Sequence, residues 1–325
     1  MQQLLFALKI NYDCKNIFIS FIFVKKINFN LLISPIKLII TSIFLIGLFV
    51  TNHLIAAVND VVPTDYYPIR KNTTVVSFYG FHSNSKGPYS SGNALLNGEI
   101  VSNTGVLRVA KGINLFDMPT SIIGVLPWTD LKVDQETKAI LGDRSTGFAD
   151  LRLGVTIWPI NNIEKGSYLG ITNMVVMPTG EYEKSQILNP GENRWKYIIS
   201  GGWQKDINSK LIFELSPELV FYGDNNSYNN GKRLEKKVSF ATTSYLRYRY
   251  DPKLHFHIGG QINTGGDNYI DGVKSHAAKN TRISLGLTYF FPDWSQLLIR
   301  YSEDTKIDTG YKNEGELLLR YQYFF

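Results

Sequence analysis

Lys253-Leu-His-Phe-His-Ile-Gly-Gly-Gln-Ile-Asn-Thr264 alternates in character from one residue to the next. Leu254, Phe256, Ile258 and Ile262 share one parity, and His255, His257, Gln261 and Asn263 share the other. Successive side chains of an extended chain point to opposite faces, so this stretch reads as a strand with one oily and one wet surface. The segment before it repeats the pattern: Phe240, Leu246, Tyr248 and Tyr250 oppose Ser239, Thr243, Arg247 and Arg249. Further back, Leu211, Phe213, Leu215, Leu219 and Phe221 oppose Glu214, Ser216 and Glu218.

Working outward, twelve such segments are expected, at about 73–82, 104–113, 120–131, 148–160, 167–177, 194–205, 210–222, 236–250, 253–264, 280–291, 294–303 and 314–325. Short turns at 114–119, 161–166, 206–209, 251–252 and 292–293 alternate with long polar loops at 83–103, 132–147, 178–193, 223–235, 265–279 and 304–313. Short–long alternation around an even number of strands is the pattern of an outer-membrane barrel. A soluble β-sandwich shares the two-residue period but not the regular loop asymmetry, and its strands are shorter. The fold class expected is therefore all-β, a closed antiparallel transmembrane β-barrel of twelve strands. Closure is required because hydrocarbon cannot satisfy open strand edges. Aromatic girdles are expected from Trp203, Tyr250, Phe291 and Phe325 at the short-turn ends and from Trp195, Phe221 and Tyr301 at the long-loop ends. Lys111 and Asn173 fall on the outward parity and do not fit an apolar belt; Lys111 is close enough to a strand end to snorkel.

The charge of +6 in 325 residues first suggests nucleic acid or an anionic surface. Its distribution removes that reading. Residues 1–57 hold Lys9, Lys15, Lys25, Lys26 and Lys37 against Asp13 alone, so 29 basic and 27 acidic residues follow them. Lys37 precedes an uncharged apolar run at about 38–50, and Ala56-Ala57 offer a cleavage site, the arrangement of a signal peptide within a leader over 1–57. Residues 58–72 are expected to be a short periplasmic segment and 73–325 the barrel. The single cysteine, Cys14, falls in the leader, so no disulfide framework is expected. The C-terminal face Leu317, Leu319, Tyr321, Tyr323 and Phe325 ends on an aromatic carboxy-terminus. It resembles the strand signal read by the barrel-assembly machinery, with Tyr321, Tyr323 and Phe325 as the signal residues.

Two stretches point to a family: Gly147-Phe-Ala-Asp-Leu-Arg-Leu-Gly154, and Met177-Pro-Thr-Gly-Glu-Tyr-Glu183 leading to Leu188-Asn-Pro-Gly-Glu-Asn-Arg-Trp195. Together they resemble the MetA-pathway of phenol degradation family of outer-membrane, transporter-like barrels over roughly residues 70–325. The motif positions are Gly147, Asp150, Pro178, Gly180, Tyr182, Asn189, Gly191, Asn193 and Trp195, with Ala149 where the family usually has glycine. The resemblance implies passage or binding of small compounds, aromatic or otherwise hydrophobic ones among them. Read by themselves, Pro178-Thr-Gly180 and Asn189-Pro-Gly191 are turn signals, and a structural role outweighs ligand contact.

The inward parity carries the candidate lumen lining: Arg108, Asp150, Arg152, Lys196, Glu214, Glu218, Arg247, Arg249, His255, His257, Gln261, Arg300 and Arg320, joined by Arg282 and Glu316. Bases outnumber acids there, which would favour anions; pairing across strands is the stronger expectation. Catalysis is the rival class. Phe81-His-Ser-Asn-Ser85 superficially offers His and Ser, but His82 shares its strand face with Asn84 while Ser83 and Ser85 face the other way. His255 and His257 share a face without a legible third metal ligand, and the Asp267–Gly272 and Asp224–Asn226 stretches lack the calcium-loop pattern. No cofactor is implied. A structural or adhesive barrel binding through its outer loops is the third class. The reading reached is an outer-membrane channel or transporter for small molecules, with the lipid bilayer, the assembly machinery and a small-molecule solute as partners and no nucleic acid.

Overall fold

The computed structural model describes residues 6–8, 19–21, 61–142, 145–275 and 278–325. The expected leader lies outside the described residues apart from an antiparallel pair, Phe6–Leu8 with Ile19–Phe21, which belongs to a separate unit, Met1–Phe49. The unit that contains the barrel is described by itself below.

Its strands are β1 (Thr74–Ser90), β2 (Asn93–Leu115), β3 (Met118–Val133), β4 (Ser145–Phe148), β5 (Arg152–Asn162), β6 (Ser167–Val176), β7 (Lys196–Asp206) and β8 (Leu211–Tyr222). They continue with β9 (Asn225–Tyr228), β10 (Lys232–Lys236), β11 (Ser239–Arg249), β12 (Leu254–Thr264), β13 (Asn268–Ile270), β14 (Val273–Ser275), β15 (Lys279–Phe291) and β16 (Ser295–Phe324). Twelve of these form one antiparallel sheet, and the β2–β3 pairing closes eleven of the twelve into a ring. β4 and β5 both pair with β3, at Leu131–Trp128 and Val125–Thr120, so they form one stave interrupted at residues 149–151. In β16, residues 295–309 pair with β15 while 310–324 pair with β1. The amide of Phe324 donates to the carbonyl of Trp294 at 3.0 Å, so the two ends of this thirty-residue element meet and it doubles back on itself. An extended run of that length would otherwise span about 100 Å. The barrel wall therefore has twelve staves, drawn from eleven ring elements.

The side-chain distribution is that of a soluble protein turned inside out. Phe78, Leu107, Ile122, Leu153, Ile171, Phe256, Ile258, Leu285 and Leu317 are exposed on the outer surface. Ser102, Ser200, Gln204, Arg247, Thr288, Arg300 and Arg320 are buried on the inner one. Only a hydrocarbon surround makes such an arrangement favourable. Trp203, Tyr250 and Phe325 are exposed near the short-turn end, and Trp195 and Phe221 near the long-loop end, as the two girdles require. The two misfits of the outward face are satisfied locally: Lys111 Nζ donates to Asn72 O at 2.7 Å, and Tyr197 Oη donates to Asn173 Oδ1 on the neighbouring strand at 2.6 Å.

The expected long loops are mostly built structure. β1 and β2 stay paired as far as Ser90↔Asn93, leaving Ser91 and Gly92 to turn with φ of 50° and 79°. Residues 304–313 are the tip of β16, and 135–141 form helix α1, capped by Asp134 accepting from Thr137 N at 2.8 Å. β9, β10, β13 and β14, from the expected loops 223–235 and 265–279, form a second, four-stranded sheet. The reason is visible in the composition. Past the apolar belt the outward positions become His82, Asn84, Glu99, Asn103 and Asp130, so polarity no longer alternates although the backbone ladder continues. These side chains bond one another across strands, His82 Nδ1 to Asn103 Oδ1 at 2.7 Å and Thr146 Oγ1 to Asp130 Oδ1 at 2.5 Å.

Candidate functional site

The lumen is the concave space that the fold creates, and its short-turn end is filled by the chain's own residues 61–67. Within the stretch 58–72, expected to be a short periplasmic segment, Val62 and Tyr66 are buried inside the barrel. The amide of Thr64 donates to Glu214 Oε2 at 3.1 Å, and Tyr66 Oη donates to Ser200 Oγ at 3.1 Å. Trp158 Nε1 donates to Tyr66 O at 3.0 Å, and Tyr245 Oη to Val61 O at 3.1 Å. Asp65 accepts from both Arg320, at 2.6 Å, and Arg108, at 3.3 Å. Room for the Tyr66 ring comes from glycine: a Cβ at Gly202 would collide with it, and one at Gly170 would lie 2.9 Å from it. Thr64 takes a φ of 79°, a conformation costly for a β-branched residue. It is held there by Glu214, Gln296 and Arg320.

Charge pairing organises the wall around this plug. Arg247 bonds Glu214 at 2.7 Å and donates to His255 Nδ1 at 2.8 Å and Tyr67 Oη at 3.1 Å. Arg300 bonds Glu316 at 2.7 Å, Arg282 bonds Asp304 at 2.9 Å, and Arg249 bonds Asp206 at 3.2 Å. Four of the acids that meet the inward bases, Asp65, Glu192, Asp206 and Asp304, come from the plug, turns and expected loops. The apparent surplus of bases along the strands is thereby matched.

Every lumen candidate faces inward. Arg108, Glu214, Arg247, His255, His257, Gln261, Arg300 and Arg320 line the polar part, with Arg249 at the rim; Gln261 accepts nothing from the plug and is bonded by its own amide to Thr243 Oγ1 at 3.1 Å. His255 lies 4.9 Å from the Phe290 ring centroid and His257 5.7 Å from that of Tyr245. Among the described residues no cluster of three His, Cys, Asp or Glu side chains is placed to hold a metal ion. His82 is outward and Ser83 and Ser85 are buried inward. Polar residues are only half of the lining. Ile123, Val125, Met174, Val176, Ile198 and Val220 form a buried apolar seam on neighbouring staves, against which Ile69 packs. Alternation could not reveal it, because Ile122-Ile123, Met174-Val-Val176 and Leu219-Val-Phe221 are apolar on both parities; such runs are themselves the signal of a strand oily on both faces.

The family-motif residues build the cap at the long-loop end. Asp150 sits in the break between β4 and β5, and its two carboxylate oxygens accept from Gly180 N at 3.0 Å and Glu192 N at 2.9 Å. Gly180 and Gly191 pack backbone to backbone, a Cβ on the former falling 2.8 Å from the Cα of the latter. Gly147 has a φ of 156°, and a Cβ there would meet the Glu181 carboxylate. Asn189 ties its turn shut through Glu183 N at 2.7 Å and Gln186 O at 2.9 Å. Tyr182 Oη donates to Ser227 O at 3.3 Å, and Asn193 Nδ2 to Asn225 Oδ1 at 3.1 Å, which fastens this segment to β9. Pro178 begins the segment, and Trp195 ends it on the outer surface.

Beneath the cap lies a cavity of about 390 Å³. Asp150, Arg152, Glu192, Arg194, Lys196 and Lys236 supply its charges; Val176, Ile187, Leu188, Leu234 and Ile270 supply much of its apolar wall. Glu218 is buried on the adjacent inward face of β8. Partial burial would raise the Glu192 carboxyl, but Lys196 and Arg194, each at 2.5 Å, outweigh it and hold the group well below the usual carboxylate range. Burial lowers the Lys236 ammonium to about 8.

The family described as Putative MetA-pathway of phenol degradation matches residues 83–318. No curated protein matches the chain. The COG4313 outer membrane channel from Pseudomonas putida F1 is similar at 28% identity and a TM-score of 0.78, over 82% of this chain and 100% of that one. The transport unit of the autotransporter AIDA-I from Escherichia coli shares the fold at 12% identity and a TM-score of 0.50, over 82% and 94% of the two chains.

Proposed function

From a chain that belongs to the MetA-pathway of phenol degradation family, we propose an outer-membrane channel for small molecules, aromatic or other hydrophobic compounds among them. The barrel itself is an outer-membrane one, apolar outside and closed on itself. The observation that carries the reading is the lumen: a 390 Å³ cavity under the cap, an apolar seam running along the wall from Val176, and a plug at the other end. The plug is held to wall side chains by hydrogen bonds and ion pairs. In this reading the leader over 1–57 directs export, and the Tyr321, Tyr323 and Phe325 face is read during assembly. His82, Ser83 and Ser85, placed on opposite faces of β1, give a catalytic reading no support.

The test is permeation by the purified barrel in vesicles. Benzoate and small neutral solutes should cross faster than in protein-free vesicles of the same lipid. Equal rates with and without protein would defeat the proposal.

A further inference from the structure

The cavity beneath the cap has an unequal charge inventory. Its acids are engaged: both oxygens of Asp150 accept backbone amides, and both oxygens of Glu192 bond Arg194 and Lys196. A cationic guest would find no uncommitted carboxylate among these two. Lys236 differs. It enters from β10 and lies 4.6 Å from the Tyr222 ring centroid, and it makes no ion pair and no side-chain hydrogen bond among the described residues. Facing it are Glu192, Arg194 and Lys196 from the cap and β7, and Tyr222 from β8; its cross-strand neighbour on β13 is the uncharged Asn268. Of these only Glu192 is acidic, and it already serves two cations.

Much of the rest of the lining is apolar. Leu188 is buried, Leu234 and Ile270 are half-buried, and Val176 continues into the aliphatic seam. A pocket of this size, with a large apolar wall and a lysine that makes no ion pair among the described residues, fits a guest with a single anionic end. A solvated ammonium would face outward at no cost, as long lysine stems usually allow. Here the amine instead lines the pocket, where burial lowers it to about 8 and leaves it cationic at neutral pH, and the facing Glu192 carboxylate is already shared by Arg194 and Lys196.

We infer that this cavity is a binding site for a small monocarboxylate with an apolar body, its carboxylate on Lys236 and its body against Leu188, Leu234, Ile270 and Val176. The inference deepens the channel reading by naming a solute class, but occupancy of the site is measured separately from passage.

The experiment is calorimetric titration of the purified chain in nanodiscs of zwitterionic lipid, with benzoate, hexanoate and the uncharged benzyl alcohol as probes. Benzoate and hexanoate should bind at least tenfold more tightly than benzyl alcohol. Lys236→Met keeps the stem and removes the charge; it should weaken benzoate about tenfold and leave benzyl alcohol unchanged, whereas Lys236→Arg should retain benzoate. Raising the pH from 7 to 9.5 should weaken benzoate binding by the wild type and not by Lys236→Arg. Folding of each variant is verified by the heat-dependent gel shift of the intact barrel. Benzoate binding that is undetectable, equal to that of benzyl alcohol, or undiminished in a folded Lys236→Met protein overturns the inference. A barrel that conducts ions yet fails to bind benzoate refutes this site and leaves the channel reading standing; one that binds but does not conduct does the reverse.

Discussion

At the short-turn end of the lumen, Asp65 bridges Arg108 and Arg320, and Glu214 serves both Arg247 and the Thr64 amide. At the long-loop end, Lys236 lines the pocket beneath the cap with Tyr222 beside it and no ion pair of its own among the described residues. Both ends are formed by chain folded into the barrel mouth, residues 61–67 at one and the cap segment 178–195 at the other. The difference lies in how each is fastened. The plug is held by wall side chains, through the Asp65 carboxylate between two arginines and through hydrogen bonds to Thr64, Tyr66 and the Val61 carbonyl. The cap is held by backbone: Gly180 and Gly191 in contact, and amides delivered to Asp150. The plug thus rests on bonds to wall side chains, and the cap on packing and bonding of its own backbone.

The largest effect is expected where the plug's central charge is removed. Asp65→Ala strands Arg320, which is wholly buried, and breaking one side of a buried pair costs about 3–5 kcal/mol. The segment should detach while the barrel stays folded, seen as loss of hydrogen-exchange protection at the Thr64 amide with the strand amides unchanged. Protection retained at Thr64 would show that Asp65 is not what holds the plug.

Gly202→Val attacks the same element through volume. The new side chain occupies the place of the Tyr66 ring, and overpacking of this kind costs about 1–3 kcal/mol. The Thr64 amide should again lose protection, to a smaller degree. Movement of strand β7 with the plug retained would show that the Tyr66–Gly202 contact does not hold the plug.

At the cap, Asp150→Ala removes the acceptor of two backbone amides, about 1.5–3 kcal/mol for each bond to a charged group. Limited proteolysis should then cut within 183–190 while the plug stays protected. Simultaneous loosening of both ends would mean that they are one cooperative unit. The smallest effect is that of pH on the cap. Because Glu192 is held below its ordinary value, its contribution is complete above about pH 4.3, the unfolded value, and is lost as the pH falls through the depressed folded value. Cap proteolysis should therefore be flat from pH 5 to 8 and rise only in stronger acid.

Much of the barrel was legible because a strand in a membrane wall must alternate. Lys253–Thr264 was read to within a residue of β12, and the inward parity of Arg247, His255 and Arg320 followed from the same rule. The plug was not legible. Val61-Val-Pro-Thr-Asp-Tyr-Tyr67 has no period, and its partners stand as far away as Arg320. A trace of it existed in the excess of inward bases over acids on the strands, which required carboxylates from elsewhere; Asp65 and Asp304 are two of them. The structured loops were missed for a related reason. Once His82, Asn84 and Glu99 replace oily residues, pairing continues by backbone alone and composition no longer reports it. Gly180 and Gly191 were read as turn formers and Asp150 as an inward strand position, and the geometry adds what they do together: they fix the cap.

The central claim is that this barrel is a channel stoppered at one end by its own residues 61–67. Single-channel recording in planar bilayers tests it most directly, with the wild type and Asp65→Ala compared in the same salt. The account predicts small, infrequent conductance steps for the wild type and steps several-fold larger for the variant. Identical conductance in the two proteins, with the Thr64 amide shown to be released in the variant, would contradict it.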